Sequence, residues 1–500
     1  MSVELARAEA IVDTSGIAPR IEAKLPIGAR PRQLCVRTLV VGMLLCQAQG
    51  RPAHLSRVHK ALCGLSYQDR RRLGVLTDWR TGPHTLTYRQ VERTFSLVVA
   101  ALGKEAPDGA PSPALQEIAD CLLEVSVEEP YMDASSSLAV DWTDIESFST
   151  RRHKPSGRYA DPEAQWGHRK GGGPGEKDEL FFGYYGSLAT MVRDDRGKDV
   201  PELVRRMNLV SCDHDPVPAM VRVLGQMARE GVPLGDVICD SGYAHRVPER
   251  FALPLRARGA SLVMDLHPSD RGTEGTHQGA ILCHGNLYCP MTPVRLFGQA
   301  PLVRGASAEE TAAHDAQAAE LARYKLRRIS ADDEDGYHRV ACPAVSGKLR
   351  CPLRESSMML PLDRPEVLNV PELPPACCEQ ATITVPPSVN AKTAQRHDYP
   401  GPAWRRSYAR RSAAERSNAR IKDPATVDVA RGWCRVMWLV PMTLFLATAV
   451  VVRNLAVIDA FEQRQADNER RRAMGLAPRS RRRRRTTLSQ LAVASANAPP

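Results

Sequence analysis

Apolar and polar positions change their rhythm several times along this chain. Residues 33–49 are rich in apolar side chains, with Leu39, Val40, Val41, Met43, Leu44 and Leu45, and predict a helix. A second helix is expected from Thr87 to Leu102, with Val91, Phe95, Leu97 and Val98 on its apolar face. A Pro/Gly linker at 106–113 precedes a third, at 114–125. Residues 33–130 therefore read as helical, and residues 1–130 as a helical N-terminal domain for DNA binding or dimerisation. No helix-turn-helix signature decides between those two roles.

The rhythm then shortens to that of strands. Ser137-Leu-Ala-Val-Asp141 is a short apolar run ending in an acid. Phe181, Phe182, Tyr184, Tyr185, Leu188 and Met191 predict a strand over 180–192, and 205–212 a third strand. Residues 217–230 predict a helix with Met220, Val221, Val223, Leu224 and Met227 facing inward. Val237-Ile-Cys-Asp240 is another strand ending in an acid, followed by a helix at 247–258 and a strand at 261–266. Three hairpin-like strands, a helix, a fourth strand and a further helix are the element order of a ribonuclease H-like α/β fold. The loop at 151–177 contains Gly171-Gly-Gly-Pro-Gly175; no Gly-Lys-Ser/Thr follows, so it reads as a mobile connection rather than a phosphate loop.

The catalytic domain is thus expected over 131–267, interrupted by a Cys/Pro-rich insertion at 268–400, and resumed at 401–465. Inside the insertion, Ser307 and Glu310 form a capping box that starts a charged, Ala-rich helix, and Thr382–Val385 reads as a strand. Residues 436–452 carry no charge but are short for a membrane span and contain Pro441. They predict a core helix packed on the sheet. Residues 466–500 form a basic tail with Arg481–Arg485, expected to be disordered and able to touch DNA without reading sequence.

Charge sharpens this picture. The formal net charge is +11, and excess cation points to a polyanionic partner, nucleic acid before membrane. Residues 1–24 carry Glu4 and Glu9 and no long apolar core, which argues against a signal peptide. With thirteen cysteines, an odd number, a reducing cytoplasm is expected.

The candidate chemistry centres on Tyr408, Arg411, Glu415 and Lys422. On a continuous helix their spacing places them on one face. Glu415 is a lone carboxylate among Arg405, Arg406, Arg410, Arg411, Arg416 and Arg420. Such a mixture makes sense if the acid holds a divalent metal and cations hold phosphate. Asp141 and Asp240 each end an apolar strand, where a side chain projects into a crevice at the sheet edge. Two carboxylates brought close repel unless a cation lies between them. An Asp, Asp, Glu set suits two Mg²⁺ ions, or Mn²⁺, about 3.5–4 Å apart. Asp144 and Glu146 rival Asp141, which is preferred because it directly follows the apolar run.

At these residues the chain resembles the DDE transposases of bacterial insertion sequences, in particular the subgroup with a Tyr-x2-Arg-x3-Glu-x6-Lys signature. Val140-Asp141-Trp142-Thr143 resembles that family's first-acid motif and Cys239-Asp240-Ser241-Gly242-Tyr243 the second. Asp161-Pro162-Glu163-Ala164, before Phe182-Gly183-Tyr184, is similar to related transposases. The resemblance covers roughly residues 135–265 and 400–455. It implies that Asp141, Asp240 and Glu415 hold the catalytic Mg²⁺ ions, and that Tyr408, Arg411 and Lys422 contact DNA phosphates. It also implies end cleavage and strand transfer at terminal inverted repeats, a homodimer in the synaptic complex, no membrane role, and a location at the bacterial nucleoid. The alternatives are a domesticated relative that binds DNA without cutting it, and another ribonuclease H-like nuclease.

Six cysteines of the insertion remain: Cys283, Cys289, Cys342, Cys351, Cys377 and Cys378. Their spacings lack the tight Cys-x2-Cys knuckle, so a Zn²⁺ site and buried or unpaired thiols both stay open.

Overall fold

The computed structural model describes residues 2–27, 32–79, 82–103, 109–149, 159–169, 177–303 and 305–479. The glycine run Gly171–Gly175 and the arginine run Arg481–Arg485 lie outside the described residues. The chain divides into two units, Met1–Leu455 and Ala456–Pro500. The first is a mixed α/β structure.

Its centre is a six-stranded mixed sheet, whose strands are numbered here in chain order: β1 (Ser137–Glu146), β2 (Gln165–Arg169), β3 (Glu179–Val192), β4 (Val204–Ser211), β5 (Asp236–Cys239) and β6 (Ser261–Met264). The long β3 lies antiparallel to β1 from Ser137↔Val192 to Glu146↔Gly183. Its other edge carries β2 at one end and β4 at the other, both antiparallel. On its far side β1 pairs in parallel with β5, and β5 in parallel with β6. The parallel strand β5 is wholly buried and apolar after Asp236, as suits a strand covered on both faces. The helix Pro216–Arg229 makes the crossover to it. Asp215 caps that helix through Val217 N (3.1 Å), Pro216 fits the first turn, and Val217, Met220, Leu224 and Met227 are buried.

The N-terminal third is helical, as the apolar pattern predicts, except for the antiparallel hairpin of Leu76–Trp79 and Gly82–Thr85. Expected helix also fails at 247–258, where Pro248 and Pro254 leave a 3-10 turn, Pro248–Arg250, and a short helix, Ala252–Arg256. The N-terminal helices share one apolar core with a face of the sheet. Leu39, Leu45, Phe95 and Leu122 join Tyr184, Leu188, Met207 and Leu209 there, with Phe445, Leu446 and Val450 between them.

Those last residues belong to the helix Leu439–Ala473, so the uncharged stretch is mostly buried core helix. It begins later than the apolar run suggests. Trp438 adopts φ +75° just before it, and Pro441 falls in the first turn, where no intrahelical N–H is lost. Two acids hold this start. Asp161 accepts Trp438 N at 3.0 Å, and Glu163 accepts Leu439 N at 2.6 Å. Asp161 is fully buried and also takes Ser147 Oγ (2.7 Å) and the Tyr184 hydroxyl (3.0 Å). Carboxylates at a helix N-terminus satisfy its free N–H groups and complement its dipole. The Asp161-Pro162-Glu163 segment is therefore a helix anchor.

The insertion carries two small antiparallel sheets, the helix Ala308–Tyr324 with its Ser307/Glu310 capping box, and two separate apolar clusters. Its return runs along the sheet edge: Arg396 N donates to Leu262 O (3.0 Å) and Trp404 Nε1 to Met264 O (3.0 Å). This delivers the chain to the sheet face above β1.

Candidate metal-binding carboxylate centre

The segment with the spaced Tyr, Arg, Glu and Lys is not one helix. It is a helix, Pro402–Tyr408, a 3-10 turn, Ala409–Arg411, and a second helix, Ser412–Arg420. Lys422 lies past the helix end, in the two-residue strand Lys422–Asp423, and shares no helical face with Glu415. The expected common face is thus corrected at its last member. The second helix approaches the sheet through small residues, Ala413, Ala414 and Ser417, all buried. Ser417 Oγ accepts from Thr190 Oγ1 of β3 (3.0 Å) and from Arg453 Nη2 (2.7 Å). Arg453 is fully buried, and burial pulls its guanidinium down to about 9.

This placement brings Asp141, Asp240 and Glu415 around one guanidinium. Arg411 Nη2 lies 3.4 Å from Asp141 Oδ2 and 3.5 Å from Asp240 Oδ2, and its Nη1 donates to Glu415 Oε1 at 2.6 Å. Asp141 projects from the middle of β1, and Asp240 follows the end of the neighbouring β5. Asp240 caps the short turn after it, accepting Gly242 N (2.9 Å) and Tyr243 N (3.3 Å). Gly242 is required there: a Cβ would lie 2.5 Å from the Trp142 ring. Asp141 accepts Trp142 N (3.0 Å) and Asn418 Nδ2 (3.3 Å). Asn418, three residues beyond Glu415 on the same helical face, was not singled out from the sequence.

The electrostatics match this crowding. Burial pushes the Asp141 carboxyl up to about 7; Arg411 opposes this, while Asp240 and Glu415 push it further up. Burial works against the Arg411 charge, but the surrounding carboxylates outweigh it and hold it above the usual range. The Asp141 side chain is 13 % exposed and that of Glu415 58 %, so the centre opens on the Glu415 side.

The other named residues sit apart. Tyr408 stacks on Trp404 (centroids 4.7 Å, planes 13° apart) beside Tyr399, and burial lifts its phenol above the usual range. Lys422 Nζ bonds Thr143 Oγ1 (2.8 Å) and Asp144 Oδ1 (2.9 Å). Burial pushes Asp144 up, but Arg169 and Lys422 together hold it below its ordinary value. The rival Asp144 is thus an ion-pair partner, and Glu146 also pairs with Arg169, at 2.8 Å. Three of the surrounding arginines are paired as well: Arg410 with buried Asp236 (2.6 Å), Arg405 with Asp315 (2.6 Å), and Arg416 with Glu202 (2.6 Å).

The donor set fits a hard divalent ion. Three carboxylates already surround a cation, and guanidinium is the stand-in for metal charge at that point. Beyond this centre, His245, His267 and Asp270 place ligand atoms within 4.8 Å of one another. Asp270 also takes Lys392 Nζ at 2.6 Å.

A pH dependence follows. With its folded value raised, the stability Asp141 contributes in metal-free protein is present below the ordinary carboxylate value and lost as pH rises through about 7. A metal held there would need the ionised form, so Mg²⁺ affinity is expected to rise over the same window, by about tenfold from pH 6 to pH 8. Calorimetric titration at the two pH values, in buffers of different ionisation heat, should show this gain and proton release at pH 6. Equal affinities would contradict it.

Comparisons with protein-family models, with curated proteins and with solved structures returned no match.

Proposed function

We propose that this chain is a metal-dependent DNA phosphoryl-transfer enzyme with a ribonuclease H-like core, working as a DDE transposase. The observation that carries the reading is the convergence of Asp141, Asp240 and Glu415 on a single guanidinium, from two adjacent parallel strands and a helix packed over them. The strand order supports it too: β4-β3-β1 antiparallel, then β5 and β6 parallel to β1, is compatible with the ribonuclease H-like order expected from the sequence.

In this reading, Asp141 and Asp240 hold metal from the sheet and Glu415 closes the set from its helix. Two divalent ions would supply charge neutralisation at the attacking and leaving oxygens of an in-line displacement. Asn418 and the Trp142 amide fix the Asp141 rotamer, and the Gly242 and Tyr243 amides fix that of Asp240. Arg411, released from the carboxylates, offers its fork to a DNA phosphate. Water cuts the phosphodiester at the element's end and frees a 3′-OH, which then attacks target DNA.

The second reading is a DNA-binding relative without cutting activity. Arg411 favours it, because a guanidinium already neutralises the three acids without metal. The test is incubation of the purified chain and Mg²⁺ with the DNA that flanks its gene. Transposase activity predicts a nick with a 3′-OH at the boundary of an inverted repeat, and joining to a second DNA. Binding without a nick, in Mg²⁺ and in Mn²⁺, supports the second reading and contradicts the first.

A further inference from the structure

The cysteines of the 268–400 insertion are brought together by its strand registers. Cys289 follows the strand Asn286–Tyr288, and Tyr288 bridges to Lys325. Just beyond, Arg327 pairs with Ala341, the neighbour of Cys342. Ala341 pairs in turn with Thr382, and Cys342 N donates to Ala381 O at 3.1 Å, next to the short helix Ala376–Glu379 that carries Cys378. Cys351 joins them through its own turn: Arg354 Nη2 donates to Cys378 O at 2.8 Å. Four turns spread over residues 289–378 thus place a cysteine at one end of one small sheet.

Three of the four, Cys289, Cys342 and Cys351, are buried in one cluster with Leu321, Tyr324 and Leu349. Each of these three precedes a proline at a tight turn. The Cys289 carbonyl accepts Thr292 N (3.0 Å), that of Cys342 accepts Ser346 N (3.0 Å), and that of Cys351 accepts Arg354 N (2.8 Å). In two of these turns a backbone N–H reaches the sulfur itself: Met291 donates to Cys289 and Leu353 to Cys351. Amides aimed at sulfur stabilise thiolate, the form that binds metal. Cys342, Cys351 and Cys378 are near enough to Cys289 for their charges to bear on its thiol. All are free cysteines. The two apolar clusters of this module are small, and small cores of short strands are commonly held by a metal staple.

We propose that Cys289, Cys342, Cys351 and Cys378 form a closed tetrathiolate zinc site that staples the 268–400 module. Four soft sulfurs with no open position suit structural Zn²⁺, at about 2.3 Å per bond. Among the described residues only His245, His267 and Asp270 already have ligand atoms within 4.8 Å of one another. Binding would have to draw the sulfurs together, releasing the thiol protons. Cys377 shares a thiol hydrogen bond with Cys378 but packs in the neighbouring cluster with Leu282 and Ile383, so Cys378 is assigned as the fourth ligand. The site stands independently of the carboxylate centre and its proposed reaction.

The test uses the full chain, purified without chelator and dialysed into metal-free buffer. Elemental analysis should find a single zinc ion per chain, released by a thiol-specific mercurial. Cobalt in its place should show the charge-transfer bands of thiolate coordination. Cys351→Ser and Cys378→Ser should lose the zinc, whereas Cys377→Ser and His245→Ala keep it. Absence of zinc with freely titrating thiols overturns the proposal, as does a disulfide among the four. Zinc lost in His245→Ala but kept in Cys351→Ser also overturns it. Where a cysteine variant fails to fold, the cobalt spectrum of the unaltered chain decides: without thiolate bands the proposal falls.

Discussion

Asp240→Asn should abolish both end cleavage and strand transfer while leaving DNA binding intact. Asparagine is chosen because Asp240 has two tasks. Its carboxylate caps the turn after β5 through Gly242 N and Tyr243 N, and it supplies charge to the centre beside Asp141. Asn caps about as well as Asp, whereas Ala costs about 1 kcal/mol at such a position. The Asn variant therefore keeps the fold and removes only the anionic oxygen. Loss of groups that merely orient metal ligands costs about 10–100-fold, so loss of a ligand itself should exceed about 100-fold. Binding to repeat DNA should hold or strengthen, since a negative charge has been removed from the face proposed to meet phosphate. Cleavage within tenfold of the unaltered chain would remove Asp240 from the centre.

The second large effect is at Arg411. Its guanidinium is mostly buried and neutralises Asp141, Asp240 and Glu415 together. Arg411→Gln leaves three acids facing one another, and breaking a buried pair in this way costs about 3–5 kcal/mol. Magnesium at a hundred times its dissociation constant returns about 2.7 kcal/mol, close to the lower end of that cost. In urea melts, the variant should thus be markedly weaker than the parent without metal and recover most of the difference in saturating Mg²⁺. The parent gains less, because Mg²⁺ must first displace the guanidinium. Equal Mg²⁺ effects on both proteins would mean that metal and Arg411 do not compete for the same carboxylates.

The two roles of Arg411 mark where the sequence was readable and where it was not. The acids could be found because Asp141 and Asp240 leave a local signal, an apolar run stopped by a charge, although β1 runs on past Asp141 to Glu146, and Glu415 stands out among arginines. The strands and the crossover helix were legible for the same reason: their apolar faces repeat at the period of the element. Partner choice leaves no such trace. The spacing to Tyr408 and Glu415 picks out Arg411, but nothing local shows that it spans all three acids or that Arg410 is buried against Asp236. The departure of Lys422 came from the chain leaving the helix at Ile421, so that it meets Thr143 and Asp144. The anchoring of the long helix by Asp161 and Glu163 was likewise invisible, because those contacts span more than 270 residues.

The most direct test of the carboxylate centre is anomalous diffraction from crystals of the chain soaked in Mn²⁺. Manganese density should appear bridging Asp141 and Asp240, with Arg411 moved off both and Glu415 within coordinating reach. Arg411 unmoved between the three acids at saturating Mn²⁺, with no density there, would contradict the account.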